Sequence, residues 1–272
     1  MAIAGHSGHV MARAQVDFAW RTDRGRVRAR NEDSVAVDEE TGVAVIADGI
    51  GGASYGNLAS RIAVNAICQR FARQAPSRVD PGPASQLARA AVDEANAAIL
   101  EHVRQRPDCA GMGTTVVIGY FGNTWLAHAH VGDSRLYRLR DRQLVQLTRD
   151  HSFIQEVVDQ GFFPSLSEAR RYGVNQHVLT RAVGSAVSHV VAEVAVTPLA
   201  LGDLYLFCTD GLSGMVPDDE LQSMLSSVKG DLGVAAEALV HRACANGGAD
   251  NITLVLARVR ALGDNDETDA GI

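Results

Sequence analysis

The sequence contains no stretch of 18 or more consecutive apolar residues, and its beginning lacks the ordered charged, apolar and cleavage regions of a secretory signal. Neither a membrane span nor export is expected, which leaves the cytoplasm as the expected location. No run of basic residues occurs either. With 25 cationic against 32 acidic side chains and a formal net charge of −7, neither nucleic acid nor an anionic membrane is expected as a main partner. Lys229 is the only lysine, and the remaining cations are arginine. Cysteine is also scarce: Cys68, Cys109, Cys208 and Cys244 are scattered, with no C-x-x-C pair, and read as small buried hydrophobes of a reducing compartment.

What is present suffices for a sizeable core. At 272 residues, 46% hydrophobic and 21% charged, with no internal repeat or interdomain linker, the chain is expected to form one domain over residues 14–260, with flexible ends at 1–13 and 261–272. Short β-branched or alternating runs punctuated by Gly, Asn and Asp predict strands at 15–20, 33–38, 43–47, 114–121, 124–131, 135–140, 189–197, 203–209 and 252–259. Apolar residues at helical spacing predict helices at 54–74, 84–105, 217–226 and 231–246, the first two separated by a Pro-rich linker. Helices grouped apart from strands indicate an α+β fold. Residues 148–179, with a helix-like stretch at 153–160 and joints at Gly161, Pro164 and Gly173, read as an insertion between central strands.

Five short acidic motifs carry the chemistry: Asn31-Glu32-Asp33, Asp48-Gly49-Ile50-Gly51-Gly52, Gly132-Asp133-Ser134-Arg135, Thr209-Asp210-Gly211 and Asp250-Asn251. Most follow an apolar run that ends as a strand. Carboxylates gathered at neighbouring strand ends repel by roughly 1 to 4 kcal/mol per close pair unless a cation lies between them. An all-oxygen set with no Cys or His at ligand spacing favours Mg²⁺ or Mn²⁺ over zinc.

The same motifs, together with Arg28 four residues before Glu32, Gly111-Met112-Gly113-Thr114-Thr115, Leu179–Gly184 and Ala249-Asp250-Asn251-Ile252-Thr253, follow the order and approximate spacing of the metal-dependent protein phosphatase 2C family. The chain resembles a bacterial member over residues 16–260. That resemblance implies a four-layer α-β-β-α sandwich, two antiparallel sheets flanked by helices. It implies hydrolysis of phosphoserine and phosphothreonine in proteins by a water activated between metal ions, with two or three Mn²⁺ or Mg²⁺ bound. Asp48 would bridge two ions, the Gly49 carbonyl would bind one, Asp210 and Asp250 would complete the other, and Asp133 would support a third. Glu32 and Asp33 would act mainly through water, and Arg28 would bind the phosphate. A monomer opposing a bacterial Ser/Thr kinase is the implied setting, and residues 148–179 match the family's flap over the metal site.

Other readings compete at single positions. Arg28 taken alone is one of several surface arginines, and Asp48, Asp210 and Asp250 are each ordinary turn or cap residues. Gly132-Asp133-Ser134 reads as a hairpin turn between the flanking strands. His128 and His130 face the same side of one strand and read as satisfied sheet residues, because no third nitrogen or sulfur ligand is evident nearby. Ile50 stands where some family members have a histidine proposed as general acid. Gly113-Thr114-Thr115-Val116 resembles the processing site of N-terminal-nucleophile hydrolases, but the lysine that the proteasome-like branch uses a few tens of residues onward is missing. A non-catalytic pseudophosphatase is disfavoured because every metal carboxylate is present.

Overall fold

Stacked apolar strands dominate the computed structural model, which describes residues 13–51, 55–74, 76, 80–185 and 190–263. The flexible ends expected at 1–13 and 261–272 lie outside these residues, except for Arg13 and residues 261–263. One sheet has the order β1 (Gln15–Asp23), β12 (Ile252–Ala261), β11 (Leu204–Cys208), β8 (Arg135–Arg140), β9 (Gln143–Gln146). The other has the order β10 (Glu193–Pro198), β7 (Trp125–Val131), β6 (Val116–Phe121), β3 (Val43–Ala47), β2 (Ser34–Asp38). Every strand pair is antiparallel. A two-stranded piece, β4 (Gly49–Ile50) with β5 (Gly113–Thr114), continues beyond β3.

The sheets bury both faces, so β3, β6, β7 and β11 are buried along their whole length rather than alternately, and all but β7, which carries His128 and His130, are made of apolar residues and glycine. Between them lie Ile46, Val117, Leu126, Phe207 and Val255, with Phe121 edge-on to Tyr205 at 5.6 Å between ring centres. Helices α1 (Gly56–Arg73) and α2 (Pro81–Gln105) cover the second sheet with Ile67, Phe71, Leu87, Val92 and Ile99. The first sheet is covered by α5 (Asp210–Ser213), α6 (Asp218–Ser226) and α7 (Leu232–Ala245). This is the expected α-β-β-α layering.

Three differences from the sequence expectation have physical reasons. Helix α2 starts at Pro81 rather than 84, because proline is accommodated in a first turn and Asp80 accepts the Gly82 N–H at 2.8 Å as its cap. Strand β9 was not expected. It follows a two-residue turn, Asp141-Arg142, with φ of 50° and 63°, a left-handed pair made without the Asn-Gly signature that flags such hairpins. The hairpin reading of Gly132-Asp133-Ser134 is overturned: β7 pairs with β6 and β10, β8 with β11 and β9, so this turn carries the chain from one sheet to the other. Among the described residues no helix is long and apolar enough to cross a membrane.

The candidate metal and phosphate site

Strand register brings the acidic motifs to one end of both sheets. Ser34 pairs with Ala47, which sets Asp33 beside Asp48; Cys208 pairs with both Leu254 and Arg135, which sets Asp210, Asp250 and the Asp133 turn together. Asp23 pairs with Ile252, so the loop after β1 delivers Arg28 to the same end. One cavity of about 790 Å³ is lined by Arg28, Glu32, Asp48, Gly49, Asp133, Asp210 and Asp250. Every site residue singled out in the sequence except Asp33 lines it, and Asp33 lies directly behind, accepting the Thr209 hydroxyl at 3.0 Å.

The residues around each aspartate hold this arrangement. Asp48 N–H donates to Thr115 Oγ1 at 3.0 Å, while its carbonyl accepts Thr114 Oγ1 at 2.8 Å and Thr115 N–H at 2.9 Å. Thr115 also reaches Ser134 Oγ at 2.7 Å, tying the Asp48 loop to the Asp133 turn. These bonds make Thr114 and Thr115 buried supports, not a processing site. Asn251 is a clamp: its Oδ1 accepts Glu32 N–H at 2.8 Å, and its Nδ2 donates to the carbonyls of Arg24 and Arg30 at 2.9 and 2.8 Å. The glycines of the two Asp-Gly pairs permit close backbone approach, since a Cβ on Gly49 would sit 2.2 Å from the Gly56 carbonyl and one on Gly211 would sit 1.9 Å from that of Asn251. Gly52 lies outside the described residues.

Electrostatically the cluster is strained as it stands. Burial and then the charges of Asp33, Asp210, Asp133 and Asp250 push Asp48 well above the usual carboxylate range. Burial pushes Asp33 up to about 7 against hydrogen bonds from Thr253 and Thr209, and burial with Asp210 and Asp150 raises Asp133 to about 7. The buried Oδ1 atoms of Asp33 and Asp210 have no hydrogen-bond partner. Unpaired, buried, mutually repelling oxygens fit a hard divalent cation. Among the described residues no three of these carboxylates bring an oxygen each within 4.8 Å of one another, a ring wider than one small ion's shell.

Arg28 Nη2 pairs with Asp250 Oδ2 at 2.6 Å, at the exposed rim of the ring. The insertion folds as α3 (Phe153–Asp159) and α4 (Leu166–Arg171), and its return segment brings His177 Nδ1 to 3.9 Å from Asp210 Oδ2. The return segment thus places His177 and Leu179 on the cavity lining. His177 was missed in the sequence, where nothing marks it apart from its place in the insertion. The insertion also explains Arg135 of the Gly-Asp-Ser-Arg motif, whose guanidinium grips both oxygens of Asp150 at its root at 2.7 to 3.1 Å.

His130 is a satisfied sheet residue as expected, but the reason given for that reading needs correcting. A third nitrogen does lie nearby: the His151 ring stacks on His130 with centres 4.6 Å apart, and Glu193 joins them, all three ligand atoms within 4.8 Å. His128 stands apart, 3.4 Å from Thr197 Oγ1. Yet the potential ligand atoms are engaged. His130 Nε2 bonds the Arg149 carbonyl at 2.8 Å, His151 Nδ1 accepts Gly132 N–H at 3.1 Å, and Arg181 Nη1 lies 3.2 Å from both His151 Nε2 and Glu193 Oε1. With a guanidinium at its centre the group is a hydrogen-bonded brace behind the Asp133 turn, not a second cation site.

Similarity to known proteins points the same way. The family described as Protein phosphatase 2C matches residues 23–239. A serine/threonine phosphatase from Listeria monocytogenes is 34% identical over 240 residues, 87% of this chain and 93% of that protein. The serine/threonine protein phosphatase PstP of Mycobacterium tuberculosis is 36% identical over 245 residues, 89% of this chain but 45% of the longer relative. The crystal structure of a PstP catalytic domain in complex with two manganese ions is 35% identical, covers 90% of this chain and 98% of that one, and superposes with a TM-score of 0.79.

Proposed function

The chain belongs to the protein phosphatase 2C family, and we propose that its ring of carboxylates holds two or three Mn²⁺ or Mg²⁺ ions for the hydrolysis of phosphoserine and phosphothreonine in proteins. The observation that carries this reading is the convergence of Asp48, Asp133, Asp210 and Asp250 from both sheets on one cavity with an arginine at its rim. When bound, divalent ions at these carboxylates would supply charge neutralisation of the phosphoryl oxygens and an acidified water at neutral pH. The chain's own residues do the rest. Asp48, Asp210, Asp250 and the Gly49 carbonyl would hold the ions, Asp133 would support a further one, and Glu32 on the cavity wall and Asp33 behind it would act through water. Arg28, which pairs with Asp250 at the rim, would offer its fork of N–H donors to two phosphate oxygens. We place this activity in one catalytic domain over residues 14–260, acting as a cytoplasmic monomer that opposes a bacterial Ser/Thr kinase.

Replacing Arg28 tests its assignment separately from the ions. Arg28→Ala should lower kcat/KM for a phosphopeptide about tenfold to a hundredfold, the range of a charge-assisted bidentate contact, mainly through KM. Mn²⁺ affinity should hardly change. Calorimetry showing Mn²⁺ binding weakened as severely as by loss of Asp48 would make Arg28 part of the metal scaffold instead.

The insertion is proposed to govern access of folded substrates. Gly161 and Gly173 bracket α4 with φ of 79° and 81° and nothing close to them, so the segment between can be shortened without unpacking the sheets. Deleting 161–173 should reduce kcat/KM on a phosphoprotein on the order of tenfold while sparing a small aryl phosphate. Asp133→Ala should impair both. Equal losses on the two substrates from the deletion would remove the access role.

A further inference from the structure

The site cavity has two unlike kinds of lining. Its charged residues, Arg28, Glu32, Asp48, Asp133, His177, Asp210 and Asp250, belong to the strand ends, the loop after β1 and the return of the insertion. An uncharged half of the lining includes Leu100, Val103, Met112, Leu179 and Ala182. Leu100 and Val103 stand three residues apart on α2 and so share one helix face turned to the cavity. We propose that this uncharged half is a subsite for an apolar side chain adjoining the phosphorylated residue of the substrate, a proposal that rests on the phosphatase reading above.

Two observations carry it. The first is continuity: the apolar wall and the carboxylate ring belong to one cavity of about 790 Å³, so a chain whose phosphoryl group sits among the aspartates lays its neighbouring residues along the wall. The phosphoryl group itself is polar and gains nothing from the half-buried Leu100 or Leu179, whereas an apolar side chain against them removes both surfaces from water. The second is that the wall is already built. Thr114 and Val183 exchange two backbone hydrogen bonds at 2.9 and 2.8 Å, and Asn96 of α2 accepts Gly184 N–H at 2.8 Å, which ties the 182–184 segment to both β5 and the helix. A preformed wall costs little ordering when it receives a ligand. Asn96 is thereby a positioning residue for the subsite, touching no substrate.

The test uses the full-length chain with Mn²⁺ and a set of phosphoserine peptides in a Gly/Ser background, with leucine walked through the three residues on either side of the phosphoserine. At one flanking position leucine should raise kcat/KM at least about tenfold over the all-Gly/Ser peptide, the scale expected for burying a leucine side chain. Leu100→Asp, and independently Leu179→Asp, should bring that ratio close to one, with folding checked by thermal melting. Leucine without effect at every position would overturn the subsite while leaving the phosphatase reading intact, as would a ratio unchanged in both folded variants. Failure to release phosphate from any peptide, the unsubstituted one included, would overturn the phosphatase reading and the subsite with it.

Discussion

Asp48→Asn should cut turnover on a phosphothreonine peptide by about 10³-fold or more and, at the same time, make the metal-free protein more stable. Both effects come from one carboxylate. Burial first, and then the neighbouring charges of Asp33, Asp210, Asp133 and Asp250, disfavour the charged form of Asp48, and a cation among them would favour it. The amide keeps the shape of the side chain but is a poor cation ligand, so on the proposed function it would disable the charge neutralisation on which phosphoryl transfer depends. The local fold should survive, because the bonds holding residue 48 run through its backbone to Thr114 and Thr115. Relief of repulsion should raise metal-free stability by about 1–3 kcal/mol near pH 7.5, read as a higher urea midpoint. A variant that loses activity and stability together would make Asp48 a structural residue, and one that keeps more than a tenth of the activity would remove it from the site.

Metal-free wild-type protein should lose stability as the pH rises from about 4 to about 7, and divalent metal should restore it. The folded state holds the Asp33 and Asp133 protons up to about 7, whereas the unfolded chain releases them near 4. A group whose folded pKa is raised contributes stability below its unfolded pKa, and that contribution is lost as pH climbs through the folded one, on the order of 4 kcal/mol for a shift of this size. Asp38, Asp108 and Asp159 are held below the usual range and act in the opposite sense at low pH, so the informative quantity is the difference between Mn²⁺-loaded and metal-free protein. The gap should be small near pH 5, where protons and Mn²⁺ compete for the same oxygens, and widen towards pH 8. A gap that is flat across this range would mean that the buried carboxylates are not where the metal binds.

The gathering of the acidic motifs at one cavity was legible in the sequence because they flank strands or the turns between them, and strand ends follow from apolar runs. What sequence could not give was distance between segments. His151 and Glu193 lie far from His130 in the chain, and only the β7–β10 ladder with the root of the insertion brings them together, which is why His130 read as lacking partners. The turn at Asp133 shows the same limit from another side. A Gly-Asp-Ser between two strands has hairpin chemistry, but whether two consecutive strands pair or part into separate sheets is decided by packing of the layers, here by Thr115 against Gly132 and Ser134. Thr114, Thr115 and Asn251 were visible as motif letters, yet their work as clamps on Asp48 and on the Arg28–Glu32 loop is readable only from the bonds they make. The apolar half of the cavity had no sequence signature, since Leu100 and Val103 follow the ordinary periodicity of a covering helix.

Phosphate release from a phosphothreonine peptide, followed while Mn²⁺ is titrated into exhaustively chelated protein, tests the central claim most directly. The carboxylate ring requires no turnover without metal, a rise to saturation as Mn²⁺ is added, and the same plateau after a second round of chelation and reloading. Full turnover by the chelated protein would contradict it.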